Sequence, residues 1–253
     1  MALRTTTPAA AVAALDAPIA PTVAAPRRRR STVSGLWALS AGALLLALHW
    51  VIPIGPYTAE GLARSFTSPL TVLVKEFLLD EGGWVVLLFG VIALADMLAA
   101  AGAGRSAQVA RILTVTAVAG ALTGVGLPTI ALPGLGNLYM SGHHEAGFVI
   151  SAFSPGGVGY GPYVQVELFV MLALAAAGSI AMGVAGWRTR AIPRWCSVVY
   201  GVGFFLNWTD APVVAWVGLV LLLVSGAAIA RSVRPGVPGV AIRDETHGNS
   251  ASA

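Results

Sequence analysis

The stretch that decides the fold runs from Trp84 to Ala101 and reads WVVLLFGVIALADMLAAA. It holds a single charged residue, Asp96, and as a helix it is long enough to cross about 30 Å of hydrocarbon. Five further apolar stretches have the same character: Gly35 to Ile54, Ile112 to Leu132, Val164 to Trp187, Ile192 to Trp208 and Ala211 to Ala230. The whole chain of 253 residues is 57% hydrophobic and 10% charged, where an average soluble domain carries about 25% charged residues. Mean hydropathy is +0.80. These values exclude a soluble enzyme domain and point to an all-α, polytopic membrane bundle of six transmembrane helices. The single cysteine, Cys196, excludes an internal disulfide, a multi-cysteine zinc site and an iron–sulfur centre.

The basic residues orient such a bundle. Thirteen of the 15 cations fall on one side of the six-span map, including Arg27 to Arg30, Arg105, Arg111, Arg188, Arg190, Arg194 and Arg231; Arg64 and Lys75 fall on the other. The positive-inside rule then puts both termini in the cytoplasm of a cell (plasma) membrane protein. The net charge of +4 reflects this topology, and no nucleic-acid partner is expected. Residues 1–32 are rich in Ala, Pro and Thr and read as a disordered cytoplasmic tail, 33–231 as the transmembrane domain, and 232–253 as a second disordered tail.

Two segments are expected on the extracytoplasmic side. Leu70 to Glu81 sets Leu70, Leu73, Val74, Phe77 and Leu78 on one stripe and Lys75, Glu76, Asp80 and Glu81 largely off it, the pattern of a short helix lying in the interface. Pro133 to Tyr163 is rich in glycine, lacks Lys and Arg, and reads as an outer loop folded back over the bundle mouth. Within it Gly157, Val158, Gly159, Tyr160 and Gly161 resemble part of the potassium-channel filter, but Pro162 follows and no pore helix precedes, so a glycine-rich turn is the better reading.

Polar side chains inside a membrane are costly, so their depth is informative. At about 1.5 Å of rise per residue, Asp96 shares a depth with Ser40, Thr116, Ser179, Tyr200 and Ser225, one from each of the other spans. This layer reads either as a protonatable carboxyl in a polar cage or as ordinary hydroxyl glue between helices. No Lys or Arg is expected at the depth of Asp96. Nearer the outer side lie His49, Gln165, Glu167, Asn207 and Asp210, which would line a ligand-binding pocket. Of these, Asp210 before Ala211 and Pro212 also fits a helix cap, and His49 beside Trp50 also fits an interfacial anchor. Asp96 and Glu167 are the candidates for acid–base chemistry. His143 and His144 are adjacent and diverge by about 100° on a helix, so no metal site is expected there, and no cofactor motif is present.

The connection Gly186 to Trp195 contains the pattern R-x-R-x-I-P-R-W, carried by Arg188, Arg190, Ile192, Pro193, Arg194 and Trp195. With the six-span layout, it resembles the link between the fourth and fifth helices in a domain-of-unknown-function family of bacterial membrane proteins. That resemblance implies a six-helix fold and no established activity, so it assigns no catalytic residues. Three functions compete: a binder or carrier of a small apolar or amphipathic molecule, with proton coupling through Asp96; an intramembrane cyclase or isomerase acting on a lipid-like substrate, similar in size to small membrane-bound terpene cyclases; and a non-catalytic accessory subunit. Membrane lipid is the expected partner in each case. Gly120 and Gly124, with Ser179 and Gly183, read as close helix packing and give only weak grounds for a homo-oligomer.

Overall fold

The computed structural model describes residues 26–53, 55–56, 58–152, 162–209 and 212–233, with the backbone alone at 26–31, 124–129, 152, 162–165 and 167–168. Among these residues the regular structure is all helical, joined by short connections, and contains no strand. In chain order the elements are α1 (Pro26–Val51), α2 (Ala59–Thr67), a π-helical segment (Leu70–Glu81) running directly into α3 (Gly82–Leu98), a π turn (Ala99–Ala103), α4 (Gly104–Met140), α5 (Ala146–Ala152), α6 (Pro162–Thr189), α7 (Arg194–Leu206) and α8 (Pro212–Ser232). Among the described residues, four stretches are long and apolar enough to cross a membrane: Thr32–Val51, Leu70–Thr123, Phe169–Thr189 and Pro212–Ser232. Helix α7, at 13 residues, is apolar but shorter. The long apolar helices are compatible with a multi-pass membrane protein, as are exposed side chains such as Phe77, Phe89, Ile180 and Val213, which water would not tolerate at this density.

Each apolar stretch read from the sequence forms a helix, with boundaries shifted by a few residues at most ends. The helices pack side by side in the order α3, α1, α8, α7, α6, α4, and α4 returns to α3. The antiparallel pair of α1 and α3 sets the closest approach. A methyl group added to Gly42 would lie 2.5 Å from the Leu87 amide nitrogen, and one added to Gly90 would lie 2.5 Å from that of Leu39. Without side chains at these two points, the helices meet backbone to backbone and gain the dispersion contacts that hold helices together in lipid. Around the seam Leu36, Leu39, Leu46, Leu87, Val91 and Leu94 are buried in one core.

Three expectations about the connections are corrected. Leu70 to Glu81 is no separate interfacial helix: from Pro69 it leads without a break into α3. Its apolar stripe, Leu70, Leu73, Phe77 and Leu78, is exposed, while Thr71, Lys75 and Leu79 are buried against the bundle. Second, Pro133 to Met140 is the last part of α4, which continues through Pro128 and Pro133 for 37 residues. Gly and Pro read as turn signals in water, but a helix is the arrangement that satisfies most backbone groups beside lipid, and one lost hydrogen bond per proline does not overturn it. At about 1.5 Å per residue α4 is about 55 Å long, well beyond the hydrocarbon thickness. Third, the segment expected to fold back over the bundle mouth hides little of its apolar surface: Ile150 is fully buried, Phe148 and Val149 are exposed, and Phe153 and the glycine run 156–161 lie outside the described residues.

The far end of α4 carries a small second core in which Leu62, Ala63 and Phe66 of α2 meet Leu132 of α4 and Ile150 of α5. Helix α2 is started by Thr58, whose side-chain oxygen accepts from the Gly61 amide at 3.1 Å. At the other end of the bundle Gly102, at φ 99°, turns the chain from α3 into α4. A side chain there would be strained, which is why glycine occupies it.

Candidate functional site

The π-helical segment positions the principal site. Its polar residues turn inward, against the end of α1. The imidazole of His49 donates from Nδ1 to the carbonyl oxygen of Lys75 at 3.3 Å. One ring nitrogen of His49 and one carboxylate oxygen each of Glu76 and Asp80 lie within 4.8 Å of one another. Trp84 lies one helical turn beyond Asp80 on the continuing helix. Lys75 is only 4% exposed, yet no carboxylate among the described residues lies within ion-pairing distance of its ammonium. Glu76 Oε1 is buried without a hydrogen-bond partner among the described residues.

The cluster is backed by aromatic side chains. Trp84 and Trp208 lie with ring centroids 5.1 Å apart, and Trp208 also packs on Phe204 at 6.4 Å. The Trp208 indole nitrogen and Asn207 Nδ2 are buried and, like Glu76 Oε1, have no partner among the described residues. Unpaired buried polar atoms cost about 1–3 kcal/mol each. Unpaired buried polar atoms of Glu76 and Trp208 thus lie at the same end of the bundle as the two carboxylates and the imidazole. Its groups can take a cation, hydrogen-bond a polar head group, or ligate a metal through His49, Glu76 and Asp80.

Of the five residues expected in an outer pocket, the structure brings two to this end. His49 is in the cluster, and Asn207, at the end of α7, sits beside Trp208. The backbone of Gln165 and Glu167 belongs to the first turns of α6, but their side chains lie outside the described residues, as does Asp210 with its expected cap. Lys75, Glu76, Asp80 and Trp84 are missing from the expected site. Their signal was present in the sequence, since the first three fall off the apolar stripe of their segment. Placing that segment outside the bundle turned an inward face into a solvated one.

The expected layer around Asp96 does not assemble. Asp96 lies two residues before the end of α3, its side chain is 62% exposed, and its Oδ1 accepts from Arg111 Nη1 of α4 at 3.0 Å. A cation therefore does lie at its depth, because the chain turns at Gly102 and brings α4 back alongside it. Thr116 faces outward. Ser40 donates to the Leu223 carbonyl across the α1–α8 contact at 3.0 Å, while Ser179 and Ser225 return bonds to carbonyls of their own helices. Tyr200 is buried against Phe204, and its hydroxyl has no partner among the described residues. Among the described residues, only Ser40 of this set bonds to a second helix, and together the hydroxyls do not enclose the carboxyl.

His143 pairs with Glu145 at 3.2 Å on the exposed turn after α4, where its own backbone amide first and then His143 hold the Glu145 carboxyl below its usual range. Between α6 and α7 lies a groove of about 430 Å³ lined by Ser179, Gly183, Trp187, Ser197, Gly201 and Phe205 among others, with no titratable side chain. Its walls suit an acyl chain and offer no chemistry. Comparison of the chain with protein-family models, curated proteins and solved structures finds no match.

Proposed function

We propose that this chain is a six-span plasma-membrane protein with both termini cytoplasmic, and that it binds and carries a small, positively charged amphipathic molecule entering from the extracytoplasmic side. The observation that carries the reading is the inward-turned polar face of the π-helical segment. Ionisable residues are expensive inside a membrane and mark substrate pathways by default. Glu76 and Asp80 against Lys75 leave the cluster acidic when His49 is neutral, which favours a cation. Trp84 and Trp208 supply faces for the apolar part of the ligand. The pairing of Asp96 with Arg111 removes the support for a proton relay through that carboxyl.

The test uses tetraphenylphosphonium as the probe, bound at equilibrium to the full chain in nanodiscs. Saturable binding that is lost in Asp80→Asn and weakened in Glu76→Gln supports the reading. Binding that is absent in the wild type, or equal in both variants, refutes it. Topology is checked separately with single cysteines at positions 142 and 189 and an impermeant thiol reagent on intact cells. Labelling at 142 with protection at 189 is expected, and the reverse pattern overturns the orientation.

A further inference from the structure

We infer that His49, Glu76 and Asp80 form a binding site for a divalent transition-metal ion of the zinc class. The inference rests on the same cluster as the function proposed above but not on its organic ligand. One nitrogen and two carboxylate oxygens, each from a different side chain, lie within 4.8 Å of one another. Bonds of about 2.0–2.2 Å to zinc place tetrahedral ligand atoms about 3.4 Å apart, so small side-chain rotations close the triangle on an ion. An imidazole with two carboxylates selects borderline ions such as Zn²⁺ over Mg²⁺ or Ca²⁺, which prefer oxygen alone.

The surroundings of the three ligands point the same way. Metal-bound histidines characteristically donate their second ring N–H to a carbonyl or carboxylate, which fixes the tautomer. Here Nδ1 of His49 donates to the Lys75 carbonyl at 3.3 Å, leaving Nε2 with the free lone pair. Glu76 Oε1 is buried with no partner among the described residues, so an acceptor is available where a ligand is needed. Lys75 is the obvious competitor for these carboxylates. It is buried at 4% exposure but lies beyond ion-pairing distance of both, so the acceptors remain free while its charge limits the anionic excess. The ligands sit on α1 and on the π-helical segment, and π geometry recurs at functional positions in helices.

Calorimetric titration of ZnCl₂ into the tag-free full chain in nanodiscs tests the site. One saturable site per chain is expected, with affinity reduced in His49→Gln, Glu76→Gln and Asp80→Asn by more than the roughly tenfold to hundredfold that loss of an outer-shell partner costs. Zn²⁺ should displace tetraphenylphosphonium, and Mg²⁺ should not compete. Co²⁺ gives a readout on the wild type alone: visible bands of low-coordinate nitrogen–oxygen ligation are expected, and the weak spectrum of a six-oxygen ion overturns the site. Zinc binding that survives all three substitutions, or that disappears with His143→Ala and His144→Ala, also overturns it. If the wild type binds tetraphenylphosphonium but no zinc, the metal inference fails and the proposed function stands. If it binds zinc but not the organic cation, the proposed function fails and the metal site stands.

Discussion

Replacing Gly42 by alanine should destabilise the protein by about 1–3 kcal/mol, the usual cost of overfilling a packed interface. The added methyl would sit 2.5 Å from the Leu87 amide nitrogen and 2.7 Å from its Cα and Cβ. Ordinary contact between such atoms begins at about 3.5 Å, so α1 and α3 would have to part by about 1 Å. The obstructing atoms are largely backbone, so no side-chain rotation relieves the clash. A gap of about 0.5–1 Å forfeits a quarter to a half of each dispersion contact along the seam, and in lipid those contacts are the main force between helices. Gly134→Ala is the internal control, because nothing lies within 4 Å of its added methyl. There the helix preference of alanine over glycine should stabilise by about 0.5–1 kcal/mol. Both variants are unfolded in mixed micelles by titration with dodecyl sulfate, followed by tryptophan emission. Opposite signs are expected; a Gly42→Ala protein as stable as the wild type would refute the close seam.

Asp96→Asn should change stability by no more than about 1 kcal/mol, because its partner Arg111 and Asp96 itself are 35% and 62% exposed and such pairs contribute little; a loss of several kcal/mol in the same titration would show a buried, essential pair. Lys75→Met replaces a buried ammonium that has no ion-pair partner among the described residues by an apolar chain of similar length. Stability should hold or rise, and tetraphenylphosphonium should bind more tightly once the opposing charge is gone; weaker binding would contradict the acidic character of the site. Tyr200→Phe removes a buried hydroxyl without a partner among the described residues, so unfolding should be unchanged or shifted upward by about 1 kcal/mol, and a clear loss would reveal a hydrogen bond to the hydroxyl.

The sequence alone determined that the protein is helical and where its long apolar helices lie, because length and hydropathy suffice to specify a helix beside lipid. The stretch from Trp84 to Leu98 is helical in any packing, since its backbone has no other partners there. Hydropathy could not say how far helices extend past the apolar core, so Pro133 to Met140 read as loop and is helix. Nor could it say which way a polar face turns. Lys75, Glu76 and Asp80 have the same spacing whether their helix lies on a membrane surface or continues into the bundle, and only the unbroken junction at Gly82 directs them at His49. Depth arithmetic likewise put Asp96 among hydroxyls, whereas the turn at Gly102 gave it Arg111. Depth is one-dimensional and can be counted along the chain. Which residues face each other depends on the rotation of each helix about its own axis, and that is set by the helices packed against it.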